Sequence, residues 1–324
     1  MKTELLYVDR PFDIARAANL LRLGKLVAMP TETVYGLAAD ATNHAAVHAI
    51  FAAKGRPTDH PLIVHLHDKS ALSHWACNIP DDAWQLANAF WPGPLTLLLK
   101  KADNVSSLLT GGSDSIGLRV PAHSALLQVL QQYNLAVAAP SANRYKKLSP
   151  TSAEQVLNGL NGRIDAVLDG GLCQHGIEST IVDLTSKDIR IVRAGPITAS
   201  QLAAVLQRDI QQPQQHKVKI AGNVDTHYQP DTTLFCFSTS KLHTMLAETT
   251  KRIVVLPYTP MPKIPATCIS LTMPDNAVKY GCSLYRALYQ ADKLGAEAIW
   301  CELPPQQEAW LAIHDRLRRA SFVA

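Results

Sequence analysis

Basic and hydroxyl-bearing side chains recur at the ends of several predicted strands and carry the most evident chemistry of the chain. If those strand ends converge, one cleft holds Lys54, Arg56, Arg119, Arg193, Thr33, Ser115, Ser141, Asn143 and Ser179. Lys and Arg neutralise phosphate oxygens, hydroxyls orient them, and Arg also grips a carboxylate through paired hydrogen bonds. The set predicts a pocket for an amino acid beside a polyanion. It suits transfer at phosphorus, where a protein mainly positions reactants and stabilises charge.

Several other chemistries lack their motifs. The sequence has neither a Walker-type glycine loop nor a G-x-G-x-x-G stretch, so a nucleotide would bind without the two commonest phosphate cradles. No Ser-His-Asp order stands out. His65 and His67 share one face of a predicted strand but have no evident third ligand, so we expect no protein-bound metal there.

Residues 54–65 contain a helix end, a stiff basic turn and a strand. Gly55 and Pro57 end a helix, and a short apolar strand follows over residues 62–66. Lys54 and Arg56 therefore straddle a helix end, where they are placed to meet an anion. The competing interpretation is that Lys54 only complements the helix dipole.

A second strand is predicted over residues 115–120. Ser115, Gly117 and Arg119 would share one face, while the alternate positions are apolar. A glycine between two polar groups indicates that something approaches the sheet closely there. An ordinary exposed Arg on an edge strand is the alternative.

Polar loops follow two further predicted strands. Strand 26–29 runs into the loop 30–36, and strand 135–139 leads to Ser141 and Asn143. Ligand groups commonly collect at the ends of strands in α/β sheets. Ser149 precedes a predicted helix, so it also fits a purely capping role.

Size and composition favour two globular domains. The chain has 324 residues, of which 47% are hydrophobic. We predict a catalytic domain over 1–207, a Gln-rich linker over 208–232 and a small α/β domain over 233–324. The net charge of +4 is too mild for a strongly basic nucleic-acid coat.

Localisation is predicted from cysteine usage and hydropathy. The six cysteines are scattered without a C-x-x-C pair, which is typical of a reduced compartment. The chain shows neither a signal-peptide core nor a stretch of about twenty apolar residues that would span a membrane. We therefore expect a cytoplasmic protein with no membrane contact.

Eight short motifs resemble, in order and spacing, the YrdC-like family. They are Pro30–Leu37, Lys54–Pro57, Pro61–His65, Trp91–Pro94, Gly117–Pro121, Ala139–Asn143, Ser149–Thr151 and Gly176–Thr180. Segments 284–288 and 312–317 resemble the extra domain of the long, two-domain L-threonylcarbamoyladenylate synthases. The resemblance implies an α/β fold: a YrdC-like twisted mixed sheet with flanking helices and a basic concave cleft, plus a smaller Rossmann-like C-terminal domain.

The resemblance also implies an activity. Such an enzyme is a nucleotidyltransferase that joins L-threonine, bicarbonate and ATP into L-threonylcarbamoyl-AMP and releases pyrophosphate. The product serves the threonylcarbamoyl (t6A) modification of tRNA. Hand-over of the product to the tRNA threonylcarbamoyl transferase complex, and possible contact with tRNA, follow from the same resemblance.

Site residues are carried over by the same motifs. The resemblance implies ATP contacts from Lys54, Arg56, His60, Ser115, Ser141, Asn143, Ser149, Arg193, His227 and Tyr228. It implies threonine contacts from Thr33, His65, Arg119, Ser179 and the Ala139 backbone, with Lys54, Arg56, Ser141 and Asn143 as the catalytic set. Mg²⁺ would accompany ATP, and the carbamate oxygen would attack the α-phosphorus without a covalent enzyme intermediate. His227 and Tyr228, in the linker, would act as a lid.

Three departures from the family pattern are visible. His60 stands where many relatives carry Asn, and residues 145–147 (Tyr-Lys-Lys) replace a small, Gly-containing stretch. Residues 194–196 and 306–310 depart from a Pro-Gly and a Gly-rich turn. Two alternatives remain open at this point: a carbamoyl-adenylate-forming module like that of hydrogenase maturation proteins, and a double-stranded RNA binding module.

Overall fold

The computed structural model describes residues 2–212, 220, 227–261 and 263–322. The chain divides into two compact units. The first comprises Met1–Tyr145, Pro150–Gln174 and Glu178–Asn223, and the second comprises Lys146–Ser149, His175–Ile177 and Val224–Ala324. Most of the predicted linker, residues 213–219 and 221–226, lies outside the described residues. The domain boundaries inferred from the sequence stay a prediction.

A mixed sheet forms the centre of the first unit. Its strands are β1 (Glu4–Tyr7), β2 (Val27–Met29), β3 (Gly36–Asp40), β4 (Ile63–His65), β5 (Leu95–Lys100), β6 (Ser115–Arg119), β7 (Val137–Ala138), β8 (Ala166–Asp169), β9 (Thr180–Asp183) and β10 (Arg190–Arg193). They are ordered β1-β8-β2-β3-β7-β4-β6-β5-β9-β10. The pairs β4 with β6 and β5 with β9 are parallel, whereas β7 with β4 and β5 with β6 are antiparallel. The predicted mixed α/β architecture is confirmed.

Helices flank this sheet and begin at sequence-encoded caps. They are α1 (Pro11–Arg22), α2 (His44–Lys54), α3 (Leu72–Trp75), α4 (Asp81–Phe90), α5 (Ser107–Thr110), α6 (Ser124–Gln132), α7 (Ala153–Leu160) and α8 (Ala199–Leu206). Asn43 caps α2 and Ser152 caps α7 through their side-chain oxygens. Thr198 and Gln201 form a reciprocal capping box at α8.

The two faces of the sheet are covered differently. Ile116 and Leu118 of β6 pack into the larger apolar core, as their alternation predicts. On the opposite face, α1 and α6 cover β1, β8, β2, β3 and β7 through a second apolar cluster. The rest of that face, over β4, β6, β5, β9 and β10, presents the side chains of Ser115 and Arg119 and the bare backbone of Gly117. The candidate site lies there.

The second unit has its own parallel sheet. Its strands are β11 (Leu234–Phe237), β12 (Ile253–Leu256), β13 (Ile269–Ser270) and β14 (Ala298–Glu302), in the order β11-β14-β12-β13. Its helices are α9 (Thr239–Glu248), α10 (Ala277–Asp292) and α11 (Leu311–Ala320). Helices separate the strands except between β12 and β13, and the prediction of a small Rossmann-like α/β unit is confirmed.

Several elements escaped the sequence reasoning. The strands β1, β3, β8 and β13 and the helices α3, α5, α6 and α9 were not predicted. Strand β3 reads Gly-Leu-Ala-Ala-Asp and lacks the β-branched and aromatic residues that mark strands. The strand predicted over 135–139 is limited to Val137–Ala138, although Ala139 N still donates to Ile63 O at 3.1 Å.

Within the described part of the chain, no helix combines the length and apolar character that crossing a membrane requires.

Candidate active site

Lys54 reaches from the end of α2 to the loop after β7. Gly55 ends this helix in the left-handed conformation at φ 65°. The Lys54 ammonium is 3% exposed and donates to the carbonyl oxygens of Ser141 and Asn143, both at 2.5 Å. Burial, and then the charge of Arg56, hold the pKa of Lys54 well below its ordinary value. Lys54 therefore does more than complement a helix dipole: it joins two sequence-distant predicted site motifs.

The loop that carries Ser141 and Asn143 is fixed against β3. Gly36 and Ser141 form an isolated antiparallel bridge, and Ala142 N donates to Tyr35 O at 2.7 Å. Asn143 is buried and its side-chain amide donates to Arg144 O at 2.8 Å. Backbone hydrogen bonds to a strand thus orient both polar side chains.

Two further predicted ATP contacts lie in the turn after α2. The Arg56 guanidinium donates through Nη2 to Pro61 O at 3.0 Å and is buried. The His60 ring makes an edge contact with the Tyr145 ring, with centroids 5.5 Å apart. Two departures from the family pattern, His60 and the bulkier loop, therefore contact each other.

Arg119 is held on three sides by the first unit. Its Nε donates to Gly93 O at 3.1 Å, its Nη1 to Thr33 Oγ1 at 3.0 Å and its Nη2 to Glu32 Oε1 at 2.6 Å. Arg119 and Glu32 are only 4% and 2% exposed, so their ion pair is buried. Burial alone would raise the pKa of Glu32, but the charge and hydrogen bond of Arg119 outweigh it and lower that pKa.

His65 lies beside Arg119 in the sheet. The two residues are register partners across β4 and β6. Burial, and then the positive charge of Arg119, lower the pKa of His65 to about 3. The imidazole is therefore neutral at physiological pH. Among the described residues, its Nδ1 has no hydrogen-bond partner.

The Ser179 hydroxyl contacts two other polar side chains, those of Thr96 and Arg193. Its hydroxyl lies 2.7 Å from Thr96 Oγ1 and accepts from Arg193 Nη2 at 2.9 Å, while Arg193 Nε donates to Ser179 O. Leu97 pairs with Leu118, so Thr96 is the cross-strand neighbour of Arg119. The Arg193–Ser179–Thr96 chain therefore ends at the Arg119 cluster.

The floor between these groups is apolar. Gly117 pairs with Ile63 on one side and Leu98 on the other. A Cβ at Gly117 would lie 3.3 Å from Ile63 Cγ1 and 3.4 Å from Thr96 Cγ2, so a side chain there would be tight. Ile220, from the predicted linker, packs against Ile63, Leu98 and neighbouring residues.

The structure places most predicted site residues in the first unit. They include Thr33, Lys54, Arg56, His65, Ser115, Arg119, Ala139, Ser141, Asn143, Ser179 and Arg193, and hydrogen bonds join Lys54 to the loop of Ser141 and Asn143, Arg119 to Thr33, and Arg193 to Ser179. The Ser115 hydroxyl lies 2.9 Å from Ser113 Oγ. The ligand assigned to each of these residues stays a prediction.

Three predicted ATP contacts belong to the second unit: Ser149, His227 and Tyr228. The rings of His227 and Tyr228 are 4.0 Å apart, and the Tyr228 ring stacks on Tyr285 at 5.5 Å. Arg316 lies over the Tyr228 ring at 5.4 Å. The two linker residues are thus ordered by α10 and α11, and their lid role stays a prediction.

Sequence reasoning missed Glu32, Thr96 and the Gly93 carbonyl as partners of the site. A pattern of cationic and hydroxyl-bearing side chains does not by itself indicate an acidic residue such as Glu32. The sequence pattern that points to Glu32 is a carboxylate placed between two threonines of a predicted site loop. A buried guanidinium requires a compensating negative charge, which this carboxylate supplies.

Among the residues that the structure describes, no group of three or more His, Cys, Asp or Glu side chains is placed to hold a metal ion.

Two family models match the chain. The model of the Sua5/YciO/YrdC family, described as telomere recombination, matches residues 19–195. The chain belongs to this family. A second model, the C-terminal domain of threonylcarbamoyl-AMP synthase, matches residues 197–321. The two-domain resemblance inferred from the motifs is confirmed.

Curated and solved relatives agree with this assignment. A threonylcarbamoyl-AMP synthase from Pyrococcus abyssi is 36% identical over 94% of this chain and 93% of that protein. One from Bacillus subtilis is 44% identical over 64% of this chain and 62% of that protein. The crystal structure of P. abyssi Sua5 complexed with L-threonine has a TM-score of 0.90 at 34% identity and covers 99% of this chain and 98% of that one.

Proposed function

We propose that this Sua5/YciO/YrdC family member is a threonylcarbamoyl-AMP synthase that uses L-threonine, bicarbonate and ATP. The observation that carries the proposal is that the first unit contains two cationic clusters. One is built on Arg119 and the other on Lys54. Relatives named for this activity match nearly the whole chain, which supports the same conclusion.

We assign the threonine carboxylate to Arg119. After its three hydrogen bonds to the protein, the guanidinium keeps two of its five N–H groups within the described structure. Two N–H groups match the paired oxygens of a carboxylate. Thr33, His65 and Ser179 surround this position, which agrees with their predicted role in binding threonine.

We assign the triphosphate to the Lys54 cluster. Within the described residues, the Lys54 ammonium has only neutral oxygens as partners, on Ser141 and Asn143. A buried cation without a counter-charge attracts an anion strongly because little solvent screens it. Arg56 adds a second positive charge beside it.

The reaction itself is a transfer at phosphorus. The carbamate formed on the threonine nitrogen would attack the α-phosphorus of ATP, and pyrophosphate would leave. The chain contributes orientation of both substrates and stabilisation of the charge that builds on the phosphate oxygens. The nucleotidyltransferase class is part of this proposal.

Mg²⁺ would enter with ATP. Mg²⁺ usually keeps several waters and binds substrate phosphates with one or two protein ligands. The described residues offer no preformed metal cluster, which fits delivery of the ion by the nucleotide. When bound, the ion neutralises charge on the phosphate oxygens.

The wider role follows from the product. We propose that threonylcarbamoyl-AMP serves tRNA modification in the cytoplasm and passes to a transferase complex. Direct contact with tRNA belongs to the same proposal.

The test is direct product formation. The full chain is incubated with ATP, L-threonine, bicarbonate and Mg²⁺, and pyrophosphate and threonylcarbamoyl-AMP are measured by chromatography and mass spectrometry. We expect both products in equal amounts, with neither formed when threonine is omitted. Absence of the adenylate in the complete mixture would overturn the proposal. Binding of double-stranded RNA without any response to threonine would point to the alternative module.

A further inference from the structure

Glu32, the acidic partner of Arg119, has a second carboxylate oxygen to which the proposed function assigns no role. Glu32 Oε1 accepts from Arg119, but Glu32 Oε2 has no hydrogen-bond partner among the described residues. Glu32 is 2% exposed, so bulk water does not satisfy this oxygen. A buried carboxylate oxygen without a partner is costly, and a bound ligand can remove that cost.

Thr33 also offers an acceptor. The Thr31 hydroxyl donates to Val34 O at 2.6 Å, so its proton is committed. Thr31 Oγ1 also accepts from the backbone N–H groups of Thr33 and Val34, so its 2.8 Å contact with Thr33 Oγ1 does not fix the direction of the Thr33 proton. Arg119 already donates to Thr33 Oγ1. A second lone pair remains on Thr33 Oγ1, which suits a donor on the ligand.

The charge at this site also selects a class of ligand. Arg119 and Glu32 form a pair whose net charge is zero. A simple carboxylate arriving at Arg119 would meet the negative charge of Glu32 nearby. A zwitterion carries both signs on neighbouring atoms, so each end meets an opposite charge.

We propose that Glu32 Oε2 and Thr33 Oγ1 bind the α-amino group of the amino-acid substrate whose carboxylate lies on Arg119. This inference rests on the proposed function, because it takes threonine as the ligand of Arg119. Glu32 is a ligand-binding residue that the sequence analysis did not select. Its role is to hold and orient the nitrogen that becomes carbamoylated, since orientation of the reacting atom is the main contribution of such a site.

The experiment compares two ligands on two proteins. L-Threonine and 2,3-dihydroxybutanoate share a carboxylate and a β-hydroxyl, but the second carries a neutral hydroxyl where threonine has its amino group. Binding of each is measured by isothermal titration calorimetry on the full-length wild type and on Glu32→Gln. Glutamine keeps the shape and one acceptor oxygen but removes the charge that an ammonium group senses.

We expect Glu32→Gln to weaken threonine binding at least about tenfold and to change binding of the analogue by less than about threefold. Equal weakening of both ligands would overturn the inference, because Glu32 would then act only by holding Arg119. Unchanged threonine affinity in the variant would overturn it as well. If the wild type itself does not bind threonine, the proposed function fails along with the inference, and that outcome is distinct from the other two.

A matched control and a second variant complete the design. Asp183 is also a fully buried carboxylate in an ion pair, with Arg190 at 2.8 Å, and Asp183→Asn should leave both affinities within about threefold. Thr33→Val removes the other acceptor and should also weaken threonine more than the analogue. Thr33→Ser should restore the wild-type preference for the amine. If Thr33→Val weakens both ligands equally, the inference is wrong even where Glu32→Gln fails to fold.

Discussion

The two cationic clusters of the first unit differ in how their charge is balanced. Arg119 pairs with Glu32 at 2.6 Å, whereas the described partners of Lys54 are carbonyl and amide oxygens without charge. Both cations are almost fully buried. The pKa of Lys54 is lowered by burial and by Arg56, while Arg119 lowers the pKa of its acidic partner.

This difference underlies the proposed assignment of threonine to the Arg119 cluster and of the triphosphate to the Lys54 cluster. A neutral pair such as Arg119 with Glu32 accommodates a zwitterion without leaving a net charge in the protein. An uncompensated ammonium accommodates a phosphate that brings its own negative charge. Buried charges are costly alone and tolerable in pairs, which is why we propose that an anionic ligand completes the Lys54 cluster.

The largest expected effect comes from breaking the balanced pair. Arg119→Met leaves the Glu32 carboxylate buried without a counter-charge and should lower the free energy of unfolding by about 3–5 kcal/mol. Glu32→Gln/Arg119→Met removes both charges and should recover more than half of that loss. Urea unfolding followed by circular dichroism measures both. A single variant that loses less than about 1 kcal/mol would contradict the balanced-pair interpretation.

Lys54→Met should separate activity from stability. Methionine keeps the length of the side chain but removes both a buried charge and the hydrogen bonds to Ser141 O and Asn143 O, so the loss of thermal stability should be smaller than for Arg119→Met. Adenylate formation should fall on the order of 100-fold or more, because a donor to the phosphates is lost.

The control for Lys54→Met is Lys187→Met, which alters an exposed lysine and should leave both readouts unchanged. If Lys54→Met markedly lowers the melting temperature but retains activity, Lys54 serves the stability of the fold and does not bind the phosphates.

The pH dependence of stability tests whether His65, beside Arg119, is buried in its neutral form. Its pKa falls from 6.5 to about 3 on folding, so between these values the unfolded chain binds the proton that the folded chain excludes. The contribution of His65 to stability is therefore fully present above pH 6.5 and is lost as pH falls toward 3. The slope reaches about 1.4 kcal/mol per pH unit.

The measurement compares the free energy of unfolding of the wild type and of His65→Gln at several pH values from 7 to 4. The wild type should lose stability more steeply than the variant below pH 6.5. Parallel curves for the two proteins would contradict this, because they would show that the pKa of His65 does not change on folding.

The smallest expected effect is at Gly117. Gly117→Ala places a methyl group 3.3 Å from Ile63 Cγ1 on the floor between the clusters, which should cost no more than about 1 kcal/mol of stability. The same methyl group would project toward the proposed ligand positions, so binding of both proposed substrates should weaken by a few fold. Calorimetric titration measures the affinity for each substrate separately. If Gly117→Ala weakens only threonine binding, the triphosphate does not lie beside Gly117.

Local patterns in the sequence were sufficient for much of the first unit. Apolar alternation in residues 115–120 predicted which face of β6 enters the core, and Gly55 with Pro57 predicted the end of α2. Periodicity failed for β3, whose Ala-rich sequence has no strand signature. That strand is fixed by its neighbours β2 and β7, which are contacts distant in sequence.

The sequence by itself determined the residue types, the motif order and hence the family, because these are properties of the chain read in one direction. Only the tertiary structure decided that Glu32 neutralises Arg119 across 87 residues and that Lys54 ends on carbonyl oxygens of the loop at 141–143. Charge compensation depends on distance and burial in space. No spacing pattern along the chain contains that information, which is why the acidic partner of the site emerged only with the fold.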